Sequence, residues 1–124
     1  MTHLQAKEPT SFEEFWPDYI NAHSDRRTRL MHLGGTAAGL GCATLFLVTW
    51  KPQWLIGAVV SSYGAAWAGH AIFERNTPAT FSHPLWSLRG DLRMLRLAVS
   101  GRLDQEAAAQ RQAATEKNRI PEGT

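Results

Sequence analysis

The sequence predicts an all-α protein, a small membrane helical bundle in which a two-helix transmembrane hairpin is flanked by amphipathic or interfacial helices. Three observations predict it. Leu33 to Trp50 carries no charge in 18 residues, a run of roughly 27 Å as helix and close to the hydrocarbon thickness of a bilayer. Gln53 to Phe73 is a second uncharged stretch, separated from the first only by a break at Lys51-Pro52. On both flanks apolar residues recur at three- and four-residue steps, the period of a helix face.

At 124 residues there is room for one domain and no second core. The net charge of +2 and a pI near 9.0 suggest a mildly basic chain, yet between Leu30 and Phe73 only Lys51 is charged. The mean hydropathy of -0.29 is pulled down by the polar stretch from Asp104 to Thr124 and hides an apolar middle. The single cysteine, Cys42, excludes an internal disulfide and a cysteine-based zinc cluster. The start, Met-Thr-His-Leu-Gln-Ala-Lys-Glu-Pro, lacks the basic-then-apolar plan of a secretory signal, so insertion is expected to use internal segments. Nucleic acid is not expected as a partner, and a homo-oligomer is left open.

The elements follow in order. Residues 1–10 are expected to be a flexible N-terminus. Ser11 and Glu14 have capping-box spacing, so a helix begins there, with Phe12, Phe15, Trp16, Tyr19 and Ile20 on one face and Pro17 expected to kink it or to begin a new turn. The hairpin comes next. Trp50 and Trp54 flank its turn as interfacial aromatics, and Gly35, Gly39, Ala65 and Gly69 allow the two helices to approach closely. The competing reading is a pair of buried helices in a soluble bundle, because both segments are rich in Gly, Ala, Ser and Thr. Asn76 to Pro84 holds two prolines and is expected to be a structured loop. Helix resumes near Leu85, with Leu88, Leu92, Leu95 and Val99 on one side and Arg89, Arg93 and Arg96 beside them. That pattern suits a helix lying in a membrane surface, or equally one packed on the hairpin with a solvated basic side. Gly101 is expected to end it. The domain thus spans 11–103, and 104–124 is expected to be a polar tail, partly helical or disordered, with Ile120 to Thr124 frayed and no chemistry assigned.

Orientation follows from the basic residues. Arg26, Arg27 and Arg29 precede the first span and Arg75, Arg89, Arg93 and Arg96 follow the second, against Lys51 alone in the turn. An integral membrane protein with both termini cytoplasmic is expected, in the inner membrane if the source is bacterial.

Chemistry concentrates in four histidines beside the hairpin, His23, His32, His70 and His83. His32 lies 19 residues before Lys51 and His70 lies 19 after it, so an antiparallel hairpin brings both to the same depth. His23 and His83 lie within short segments of that mouth. Converging imidazoles at a membrane boundary need satisfaction, and a metal satisfies them. Glu74, one turn after His70, and Asp91 are the nearby carboxylates. Histidines with a carboxylate suit iron(II), whereas four nitrogens would also accept zinc or copper. Hydrogen-bonded structural histidines are the alternative. His3 lies in the N-terminal segment and is left out.

The blocks Tyr19-Ile-Asn-Ala-His23, Arg29-Leu-Met-His32-Leu-Gly34, His70-Ala-Ile-Phe-Glu74-Arg75-Asn76-Thr-Pro78 and His83-Pro-Leu-Trp-Ser87-Leu-Arg-Gly-Asp91 resemble the 2-hydroxy fatty acid dioxygenase family of phytosphingosine metabolism to odd-numbered fatty acids. The similarity runs from about Phe12 to Gly101. It departs at Arg26 and Thr28, where the family often has proline and asparagine, and this is a short version. The resemblance implies a multi-helix membrane protein and an Fe(II)-dependent dioxygenase that shortens long-chain 2-hydroxy fatty acids by one carbon. It implies iron ligands His23, His32, His70 and His83. The partners would be a 2-hydroxy fatty acid, O₂ and the lipid bilayer.

The reaction balances: a 2-hydroxy acid plus O₂ gives the shortened acid, CO₂ and water without a reductant. No 2-oxoglutarate, flavin or nicotinamide is then required. Glu74 and Asp91 are candidates to orient histidines or move a proton, and Arg75 either holds the substrate carboxylate or simply flanks the membrane. The alternative function is a non-catalytic membrane protein that binds a metal, or haem between His32 and His70.

Overall fold

A computed structural model describes residues 8–78 and 81–119. Among them five helices follow in order, α1 (Phe12–Asn21), α2 (Arg26–Thr49), α3 (Pro52–Gly69), α4 (Pro84–Val99) and α5 (Leu103–Arg119), and α3 runs on into one π-helical turn over His70–Glu74. The described chain contains no strand, so the all-α expectation holds. Most of the expected flexible N-terminus, together with His3 and the segment 120–124, lies outside the described residues.

Helix α1 opens as its sequence dictates, with the Ser11 hydroxyl accepting from the Glu14 N–H at 3.2 Å. The Glu14 carboxylate reaches one residue further back than a capping box requires, accepting from the Thr10 N–H at 2.8 Å. Pro17 does not interrupt the helix. An interior proline costs about 3 kcal/mol, and burying Phe12, Phe15, Trp16, Tyr19 and Ile20 at about 1.5–3 kcal/mol each outweighs it.

The hairpin turns in two residues. Trp50 closes α2 in the left-handed region (φ 57°), its N–H bonded to the Phe46 carbonyl at 2.7 Å; Lys51 is extended, and Pro52 starts α3 where a missing N–H loses nothing. The small residues do what their spacing requires. A Cβ on Gly35 would lie 2.7 Å from both the Ala65 Cβ and the Ser61 carbonyl, and one on Gly39 3.1 Å from the Ser62 Cβ. Backbone therefore meets backbone along the mouth half of the hairpin. Both arms are long and apolar enough to cross a membrane, yet only 22 % and 17 % of their apolar windows is buried.

The main apolar core lies elsewhere. It joins α1 to α4 and α5 through the aromatic face of α1, Met94, Leu97, Leu103 and Ala107. Gly101, at φ +74°, ends α4 in a Schellman turn, with Arg102 N–H on the Leu97 carbonyl at 2.8 Å and Gly101 N–H on the Ala98 carbonyl at 3.1 Å.

Of the two alternatives for the polar tail, the described part takes the helical one, and it is docked: Ala107 is buried, Glu106 accepts from Trp16 Nε1–H at 3.0 Å, and Asn21 donates to the Gln110 carbonyl at 3.3 Å. Two apolar side chains, Leu103 and Ala107, and a few polar anchors fix it, which an apolar-face count does not register.

Candidate metal centre

Three elements converge on one buried point. His23 follows α1, His32 lies in the second turn of α2, and His70 opens the π-helical turn. All three are buried, at 1 %, 6 % and 2 % exposure, and one nitrogen from each lies within 4.8 Å of the others. The hairpin brings His32 and His70 to one level, with ring centroids 6.3 Å apart. His23 is closer to both, at 4.8 Å and 4.4 Å.

Each ring is held through one nitrogen by a protein acceptor. His23 Nδ1–H donates to the Tyr19 carbonyl at 2.6 Å, and His70 Nδ1–H donates to Asn76 Oδ1 at 2.6 Å. His32 Nε2–H donates to Asp91 Oδ1, also at 2.6 Å. A carbonyl and an amide oxygen can only accept, so on His23 and His70 the proton is on Nδ1 and Nε2 is a bare lone pair. Those two Nε2 atoms face each other at 3.0 Å. Two lone pairs at that distance repel unless a cation lies against both. Meanwhile His32 Nδ1 is buried and has no hydrogen-bond partner. Two unprotonated nitrogens face to face, a third ring with an unpartnered buried nitrogen beside them, and an outer acceptor orienting each ring make a donor set that fits a metal ion. Burial, then the neighbouring His32, holds the His23 pKa well below the usual imidazole value, so the ring is in the neutral form that ligates.

The acceptors have their own supports. Asn76 donates its amide N–H to the Ala22 carbonyl at 3.1 Å, tying the π turn to the residue before His23. Its own backbone N–H reaches the His70 carbonyl at 3.2 Å, and Arg75 between them takes a left-handed conformation (φ 55°). Tyr19 O–H donates to the same Asp91 oxygen at 2.5 Å and lies 3.4 Å from His32 Nε2. Burial, then the Asp91 charge, pushes the Tyr19 pKa well above its usual value, so the phenol keeps its proton. Gly90 makes this possible, because a Cβ there would touch the Tyr19 ring at 3.0 Å.

The sequence-derived residues divide clearly. His23, His32 and His70 come together and Asp91 stands behind His32. His83 does not join them. It precedes α4, stacked on Trp86 (5.1 Å), edge-on to Phe15 (5.5 Å) and 3.2 Å from Glu8 Oε2. Those contacts hold it outside the triad, so of the expected four histidines three come together in this structure. Glu74 turns away to the α1–α2 connection, accepting from Asp25 N–H at 2.6 Å and Ser24 O–H at 2.9 Å. Arg75 is exposed, and among the described residues no hydrogen bond or ion pair joins its side chain to the triad. Buried Arg29 reinforces the same connection by donating to the His23 and Ser24 carbonyls.

Tyr19 and Asn76 were not singled out by sequence reasoning. Both were within reach of it: Tyr19 is four residues before His23 and so beneath it on a helix, and Asn76 stands in the block that begins at His70.

The family described as 2-hydroxy-palmitic acid dioxygenase Mpo1-like matches residues 9–103. No curated protein and no solved structure matches the chain. The matched span holds the three histidines, their outer acceptors Tyr19, Asn76 and Asp91, and the helices that present them, so the chain belongs to the 2-hydroxy-palmitic acid dioxygenase Mpo1-like family.

Proposed function

We propose that the protein is a membrane-embedded Fe(II)-dependent dioxygenase that converts long-chain 2-hydroxy fatty acids to the acid one carbon shorter, with release of CO₂. The observation that carries this reading is the buried histidine triad with its unsatisfied nitrogens in a chain of this family. His23, His32 and His70 hold the ion. When bound, iron supplies Lewis acidity towards the hydroxy acid and redox activity towards O₂.

The chain's own residues do the rest. Asp91 and Asn76 fix the planes of His32 and His70, and the Tyr19 carbonyl fixes that of His23. The Tyr19 hydroxyl, beside His32 and hydrogen-bonded to Asp91, is a proton held at the edge of the site. Glu74 and Arg29 brace the segment that carries His23.

Membrane insertion is supported by the exposed side chains of the hairpin. A soluble core helix would be mostly covered, whereas Leu47, Val48, Ile56 and Val60 are all more than 60 % exposed. A lipid bilayer is the surrounding that covers them. The haem alternative is disfavoured because the His23 ring lies against both His32 and His70, in the space a macrocycle would need.

The test supplies detergent-purified protein with Fe(II), O₂ and 2-hydroxypalmitate and follows pentadecanoate and CO₂. Both products should form in step. Stoichiometrically iron-loaded protein that forms neither across a range of chain lengths would leave a metal-binding role in place of the enzyme.

A further inference from the structure

An open groove runs from the metal centre along the hairpin. Its volume is about 200 Å³; His32 and Asp91 line one end, Leu40, Ala58 and Val59 line the other, and Leu88 of α4 forms a side. Two facts give its direction. Gly35 meets Ala65 and Ser61, and Gly39 meets Ser62 and Ala58, so the hairpin pairs level by level towards its turn. His32 and Leu40 are eight residues apart on α2, which makes the groove about 12 Å long.

Its chemistry changes along that length. The end at the histidines is polar. Beyond it the lining is mostly apolar, interrupted by the hydroxyls of Thr36, Ser62 and Tyr63, and that of Ser62 is spent on its own helix, donating to the Ala58 carbonyl at 2.6 Å. Small residues, Gly39, Ala58 and Ala66, leave the space that larger side chains would fill. The rim is open: Leu40, Val59 and Leu88 are 45 %, 50 % and 53 % exposed.

We infer that this groove receives the first part of the substrate's alkyl chain, while the remainder leaves between Leu40 and Val59 alongside the exposed hairpin. The inference rests on the fatty-acid reading of the site. It adds how the substrate is selected: the protein reads the shape of the chain over the groove's length and does not read its total length. A straight chain fits between the hairpin and α4, and a branch near the head group does not. Length beyond the groove is accommodated by lipid and carries little discrimination. Leu88 and Ala58 are the specificity-determining positions, one on each side.

The test uses the full chain in lipid nanodiscs and a 2-hydroxy fatty acid carrying a mid-chain diazirine, with cross-linked peptides mapped by mass spectrometry. Labels are expected within 36–40 and 58–63, removed by excess unlabelled 2-hydroxypalmitate. In Leu88→Trp, an exposed position that folding tolerates, and in Ala58→Leu, competed labelling should fall about tenfold, the loss expected for excluding about two methylenes from apolar burial. A label spread evenly over Leu47, Val48 and Ile56 and resistant to the competitor means that the groove holds bilayer lipid, and overturns the inference. So does labelling unchanged in both variants. Cross-linking needs no turnover: a competed groove label without product would sink the oxidation reading alone, whereas turnover with indifferent groove variants would sink the groove alone.

Discussion

At the scale of single residues, the centre depends less on how many histidines the chain has than on what holds their second nitrogens. His23→Ala, His32→Ala and His70→Ala should each reduce iron in the purified protein to a small fraction of one per chain, because each removes a donor from a set of three. His83→Ala should leave the iron content unchanged, since Phe15, Trp86 and Glu8 surround that ring. Iron lost from His83→Ala and retained in the others would reverse the assignment. Asn76→Ala and Asp91→Ala should keep the iron but weaken its binding about 10–100-fold, read as faster loss to a chelator, because an imidazole without its outer acceptor is free to rotate. These assignments show where a sequence stops being informative. The pairing of His32 with His70 follows from counting outward from Lys51. The position of His83 depends on the path of a nine-residue loop from Asn76 to Pro84, which no periodicity constrains.

At the scale of elements, the hairpin and α5 are held by opposite means. Backbone contact holds the hairpin, so Gly35→Ala should destabilise it by about 1–3 kcal/mol, since its Cβ would meet a carbonyl and another Cβ at 2.7 Å and neither can move aside. Gly34→Ala, with nothing within 4 Å, should be neutral or slightly stabilising. Thermal unfolding in detergent distinguishes them, and equal melting temperatures would mean that the close approach is not tight. Polar anchors hold α5. Trp16 Nε1–H, and secondly Gln110, lower the Glu106 pKa below its usual 4.5. A carboxyl depressed in the folded state contributes stability above its unfolded pKa and loses it as pH falls through the folded value. Amide exchange in α5, relative to intrinsic rates, should therefore accelerate below about pH 4.5, and Glu106→Gln should remove that dependence. Exchange that ignores pH in the parent would show that the Trp16 contact does not fix the helix. The hairpin was legible because small residues at four-residue spacing have few other uses in an apolar helix. The docking of α5 was not, because Ala, Gln and Glu spell helix without saying what it touches.

At the scale of the whole molecule, two regions of different character share one chain. The mouth is compact, with α1, α4 and α5 packed about an aromatic core. The far half of the hairpin, from Leu45 to Val60, exposes most of its large side chains. Arginines gather at the mouth on both flanks of the hairpin, and Lys51 is alone at the turn, so the mouth should face the cytoplasm. In a Cys42→Ser background, a cysteine at Gln53 should react with an impermeant maleimide added from outside intact cells. Reaction only after the cytoplasmic side is opened would invert the topology.

The π-helical turn from His70 to Glu74 has a further consequence. Its hydrogen bonds skip one residue more than those of an ordinary helix, so it behaves as an α-helix with a single residue inserted. The insertion is local, but its effect on phase is not. Each residue of a helix advances the azimuth by about 100°. Removing one between His70 and Asn76 would restore regular winding and rotate Asn76 away from the imidazole it steadies, while Glu74 would swing off the backbone of Asp25. Every histidine and every outer acceptor would still be present. The centre is therefore encoded partly as a count, the six-residue step from His70 to Asn76, and a one-residue deletion there would erase it as surely as the loss of a histidine.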